Sequence, residues 1–171
     1  MIELLAIAGL VLACGTNSSP KTDSPESYAD AVCRAWFSHG DELRRSIELV
    51  GAVDPGQPEA LRQYASEMAS LESGLSEDLA SIEAPDEIAG LHSQIVDAHR
   101  RAAEAWTDVE QTLDRTAGQA GDGSSASLED ALDATTRARE SEPTLPDSYQ
   151  QAIQANERCK KLEEALYGSD G

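Results

Sequence analysis

The sequence predicts an all-α protein: an antiparallel, four-helix-type up-down bundle whose last helix is broken near Pro143–Pro146. Three observations carry this. Apolar residues recur every three or four positions from Ser27 onward, the period of a helix with one buried face. Hydrophobic residues make up 40% of the chain but aromatic ones only 4%, so the apolar content is mostly Ala, Leu, Ile and Val. That mixture packs helices closely and lacks the enrichment that sheets require. The segments between stripes are short and turn-forming, as antiparallel neighbours need.

The first predicted helix carries Tyr28, Val32, Trp36, His39, Leu43, Ile47 and Val50. Its stripe stays in phase across Gly40, which predicts one continuous helix ending near 51–56. The second runs from Pro58, acceptable in a first turn, to about Glu83, with Leu61, Tyr64, Met68, Leu71, Leu75, Leu79 and Ile82 as its seam. Ala84-Pro85-Asp86 separates it from a third helix of roughly 30 residues, about 45 Å long, which carries Ile88, His92, Ile95, His99, Ala102, Trp106, Val109 and Leu113. Residues 118–126 read as a flexible loop. Ser127, with Asp130 at the capping-box position, then starts a shorter helix with Leu128, Ala131, Leu132 and Thr135 inward. After the prolines, Asp147 restarts a helix along Tyr149, Ile153, Cys159, Leu162 and Leu166. The two pieces on either side of the prolines are expected to fill the place of one long, bent helix.

Ahead of the bundle, residues 4–13 form an uncharged apolar run of ten. A membrane-spanning helix needs about 20 such residues, so this length fits the core of an export signal. The run ends in Val11-Leu12-Ala13-Cys14-Gly15, which resembles the bacterial lipobox. That resemblance implies cleavage before Cys14 and a lipid on its thiol. Leu12 is bulkier than the small residue usual there, and Met1-Ile2-Glu3 lacks the positive charge of such leaders, so translation is expected to start upstream. The Ser/Thr/Pro-rich stretch that follows, with nothing to bury, reads as a disordered tether. The expected organisation is signal 1–13, lipidated cysteine and tether 14–26, and helical domain 27–167.

With Cys14 lipidated, Cys33 and Cys159 remain as an even pair in an oxidising compartment. Cys33 lies early in the first helix and Cys159 late in the last, and in an antiparallel pair those ends lie level. A disulfide between them would close a loop of about 125 residues, worth roughly 4–5 kcal/mol in the chain-entropy account.

The formal net charge is −19, and losing Glu3 with the leader leaves −18. Phosphate backbones and anionic lipid surfaces repel such a chain, which argues against nucleic-acid binding and predicts a soluble, monomeric domain. No phosphate loop, nucleophile elbow, His-Glu-x-x-His or Cys-x-x-Cys motif is present, and the paired Glu-x-x-His motifs of di-iron bundles are missing. No cofactor is therefore expected. Of the three histidines, His92 and His99 lie seven residues apart on one helix, too far to chelate together. His39 and His99 are the candidates for a metal held between helices, against the plainer reading of hydrogen-bonded core histidines. Trp36 and Trp106 fall on core stripes, and the basic clusters read as solvated ion pairs.

Beyond the lipobox, the tether, the early and late cysteines, the Ala84-Pro85-Asp86-Glu87-Ile88 junction and ten Arg against three Lys give the chain a likeness. It resembles the small Ala-rich helical lipoproteins of actinobacterial envelopes, a resemblance that brings no activity with it. It implies a domain held by its lipid at the outer face of the cytoplasmic membrane. The expected function is non-enzymatic binding or interaction, with an envelope protein as partner, through helix faces or the 118–126 loop. Two alternatives stay open. A carrier of a small hydrophobic molecule requires a cavity of roughly 300 Å³ near Trp36 and Trp106; a metal-binding bundle requires His39 and His99 to meet.

Overall fold

A computed structural model describes residues 22–50, 58–116 and 122–168. The expected leader, Cys14 and most of the expected tether lie outside the described residues. Within them the protein is an all-α helical bundle of seven helices without a strand: α1 Pro25–Ser38, α2 Gly40–Val50, α3 Pro58–Ala80, α4 Ala89–Thr116, α5 Asp122–Glu140, α6 Asp147–Ala155 and α7 Glu157–Tyr167. None of the described helices is long and apolar enough to cross a membrane.

The domain starts earlier than the tether reading allows. Ser24 caps α1 by accepting from the Ser27 amide, while the Ser27 side chain answers on the Ser24 amide, and Pro25 takes the first turn. Thr22 is itself buried and donates through both its amide and its hydroxyl to the Glu83 carbonyl. That contact ties the start of α1 to the α3–α4 junction.

The helix expected across Gly40 is interrupted. The backbone leaves helical geometry at His39, the C-cap of α1, and α2 restarts at Gly40. A side chain on Gly40 would meet Leu162 of α7 at 3.3 Å, so the glycine allows a close approach there. Ile47, expected inside, is partly exposed. The fourth predicted helix starts at Asp122 rather than at a Ser127 cap, so part of the expected 118–126 loop is helical. Asn156 also divides the final helix, its side chain accepting from the Arg158 and Cys159 amides to cap α7.

Chain directions follow from the cross-helix contacts. The α3–α4 hairpin is antiparallel: Leu79 meets His92, Glu72 meets His99, and Arg62 meets Asp114. Helix α5 runs back along α4, from Leu128 and Leu132 at the Leu113 end to Ser141 beside Arg101. At Pro143–Pro146 the chain breaks as expected, but it also reverses. Tyr149 at the start of α6 lies against Tyr28 and Glu87, and Leu162 of α7 lies by Gly40. The two short pieces therefore occupy separate places in the bundle.

Cys33 and Cys159 are joined, with Cα atoms 5.1 Å apart. The predicted pair is present, on a different geometric basis. Tyr149, Cys159 and Leu162 meet Tyr28, Cys33 and Gly40 in that order, so α1 and the α6–α7 unit advance in the same sense.

Two apolar clusters form the core. One gathers Tyr28, Val32, Leu79, Ile88, Ile95 and Tyr149; the other gathers Met68, Leu71, Leu75, Trp106, Val109 and Leu113. Trp36, partly buried, packs against both.

Candidate functional site: an interhelical cleft around Trp36

Where the two clusters meet, the helices do not close completely. Two adjoining chambers share Trp36 and Glu142 in their walls. The larger, about 310 Å³, is lined by Tyr28 and Val32 of α1, Leu79 of α3 and Ile95 of α4. Leu145 of the α5–α6 connection, Ile153 of α6, and Cys159 and Leu162 of α7 complete its far wall. This wall is apolar, and the disulfide holds it against α1. The reversal of the chain at the prolines creates the space: α6 and α7 return beside α1 rather than continuing α5.

The smaller chamber, about 250 Å³, lies toward α5. Its floor holds an ionised group that core stripes exclude. Glu72 is 3% exposed, with His99 Nδ1 at 2.6 Å from one carboxylate oxygen and Arg139 Nη2 at 3.0 Å from the other. Burial by itself raises the Glu72 carboxyl, but His99 and Arg139, through hydrogen bonds and charge, outweigh it and hold the group below its ordinary value. The ionised carboxylate fixes the tautomer: Nδ1–H of His99 donates to Glu72. His99 Nε2, also buried, has no hydrogen-bond partner among the described residues. The Trp36 ring stands edge-on to the imidazole at 5.4 Å between centroids.

Polar ties brace the apolar chamber from behind. His92 Nε2–H donates to the Leu79 carbonyl at 3.1 Å, so its Nδ1 accepts from the Tyr28 hydroxyl at 3.0 Å. Burial lowers His92 from its ordinary value. Tyr28 is pushed up to about 12, by burial first and then by Glu142 and Tyr149. Tyr149, whose hydroxyl donates to Glu87 at 2.5 Å, is likewise pushed up to about 12, by burial first and then by that carboxylate.

The metal candidates do not meet in a shared site. His39 engages Asp78 at 3.1 Å through Nε2 and Glu42 at 3.8 Å through Nδ1, while His99 engages Glu72. No group of three potential metal ligands is found among the described residues. Trp106 is paired edge-on with Tyr64 inside the second cluster, so of the two tryptophans only Trp36 lines the cleft. Sequence reading missed Glu72 and Glu142. The available signal for Glu72 was its place on α3 between Met68 and Leu75, on the inward arc of the helix.

Fold and site together define a disulfide-linked helical bundle with a two-chambered interhelical cleft. No protein-family model, curated protein or solved structure matches the chain.

Proposed function

We propose that this chain is an exported, lipid-anchored binding protein that holds a small, largely apolar molecule in the cleft beside Trp36. The chamber of about 310 Å³ between α1, α4, α6 and α7 carries the reading. Its volume sits at the lower end of small-molecule pockets, roughly 300–1,000 Å³, and its wall has the apolar character of such sites. The Cys33–Cys159 bond suits an oxidising compartment, and the lipobox-like Val11–Gly15 segment supplies the anchor. The net charge of −19 disfavours anionic surfaces as ligands of the domain itself.

Native mass spectrometry of the protein released from its own membranes tests both parts. The mature chain should begin at Cys14 with a lipid-sized mass on that residue and carry a further non-covalent species below about 500 Da, a drug-sized ligand for such a pocket. Cys14→Ser should lose the covalent mass. A wild-type chain that is never lipidated would overturn the anchoring. Ligand-free protein that also fails to take up any apolar compound would overturn the binding.

A further inference from the structure

The larger chamber explains how an apolar body is held, but not why a buried imidazole nitrogen next door is left without a partner. An unsatisfied buried polar atom is costly, on the order of 1–3 kcal/mol, and native proteins rarely tolerate one without a use. His99 is 7% exposed and lines the smaller chamber. With Nδ1–H facing Glu72, Nε2 is the ring atom left without a partner among the described residues, and it accepts a hydrogen bond whenever the imidazole carries a single proton. Trp36 stands edge-on to that ring, 5.4 Å between centroids, and lines both chambers.

The surrounding charge points to the kind of group that completes the site. Glu72 and Glu142 supply two carboxylates to this lining, and Arg139 gives one hydrogen bond to Glu72 through Nη2. No cation among the described residues is paired with the Glu142 carboxylate. An alcohol or ammonium head would give Nε2 the hydrogen it lacks, and an ammonium would also face the Glu142 carboxylate.

We propose that the two chambers form one site for a single-chain amphiphile, whose hydrogen-bond-donating head displaces the Trp36 ring to reach His99 Nε2 while its apolar body fills the larger chamber. The inference rests on the binding reading above and adds the chemistry of the head. Trp36 acts as a gate between the chambers, and Glu142 favours a cationic head over a neutral one.

Three probes with the same six-carbon body separate the terms: hexylamine, 1-hexanol and hexanoate. Calorimetry would use the full chain carrying Cys14→Ser with its disulfide formed, at pH 8. Both donor heads should bind roughly tenfold more tightly than hexanoate, the size of one buried hydrogen bond. The indole N–H resonance of Trp36 should shift on binding while that of Trp106 stays. His99→Leu should remove the hydrogen-bond share of the donor heads' advantage, leave only the part that Glu142 contributes, and retain binding of the six-carbon body. Because that variant also strips a partner from Glu72, the exposed Glu142→Gln serves as a second test: the advantage of hexylamine over hexanol should fall about threefold or more, the weight of one partly screened charge. Equal affinities for all heads, tightest binding of hexanoate, or an unmoved Trp36 would overturn the head assignment and leave the apolar chamber standing. Absence of binding by all three would overturn both.

Discussion

The cluster around Tyr28 and the cluster around Leu75 draw on the chain differently. The Leu75 cluster is mainly a seam between α3 and α4, flanked by α5, three helices consecutive in sequence. The Tyr28 cluster needs α1, the α3–α4 hairpin and α6 at once, so its partners lie up to 121 residues apart. Seams between consecutive helices pay little loop-closure entropy, whereas assembly from both ends of the chain pays more. The Tyr28 end has further ties that the other does not share: the Cys33–Cys159 bond, the Tyr28–His92 hydrogen bond and the Tyr149–Glu87 hydrogen bond. The cleft lies beside this end. A bundle can keep an imperfectly filled space where polar and covalent ties offset the missing apolar contact.

Breaking those ties should separate the two regions. Replacing both cysteines with alanine is expected to cost about 5 kcal/mol, the chain-entropy value for so long a loop, measured by urea unfolding. Hydrogen exchange should show α1, α6 and α7 losing protection first while α3 and α4 keep theirs. Uniform loss would contradict the division.

Leu75→Ala strikes the other cluster, where the side chain is 1% exposed. A cost of about 3 kcal/mol is expected from the cavity it leaves, with uptake of an apolar ligand at Trp36 unchanged. Smaller still, Tyr28→Phe removes a donor and leaves His92 Nδ1 unpaired, for about 1–2 kcal/mol. Its thermal midpoint should fall without loss of the disulfide.

The mildest perturbation is a change of pH. His92 and Glu72 are both held below their ordinary values of 6.5 and 4.5. Their contribution is therefore present above those values and lost as pH falls through the lower folded-state values. Tyr28 and Tyr149 work in the opposite sense. Raised from 10.0 to about 12, they contribute fully below pH 10 and lose that contribution as pH rises toward 12. Melting curves should show flanks on both sides, and Tyr28→Phe should reduce the alkaline one.

Much of this was legible in the periodicity. Leu71, Leu75, Leu79, Val109 and Leu113 sit inside as their spacing predicts, and parity singled out Cys33 and Cys159. The break at His39 was hidden because the apolar spacing of the sequence runs on across it, although Ile47 beyond the break ends up partly exposed. The reversal after Pro146 was hidden for a related reason: proline announces an interruption, but the direction in which the chain leaves depends on where Tyr149 finds a place against Tyr28. The Glu72–His99 pair required the register of the α3–α4 hairpin, which no single helix encodes. Buried carboxylates are also rare enough that composition argues against them until the partner is seen.

If the apolar chamber beside Trp36 takes up a ligand, a neutral fluorescent probe of matching size should enter it. N-phenyl-1-naphthylamine titrated into the full chain carrying Cys14→Ser should bind once per chain with a rise in emission. Ile153→Trp, which fills the chamber from α6, should abolish that rise while the cooperative melt persists. Undiminished binding to the filled variant, or no binding to the unfilled chain, would show that this chamber is not a binding site.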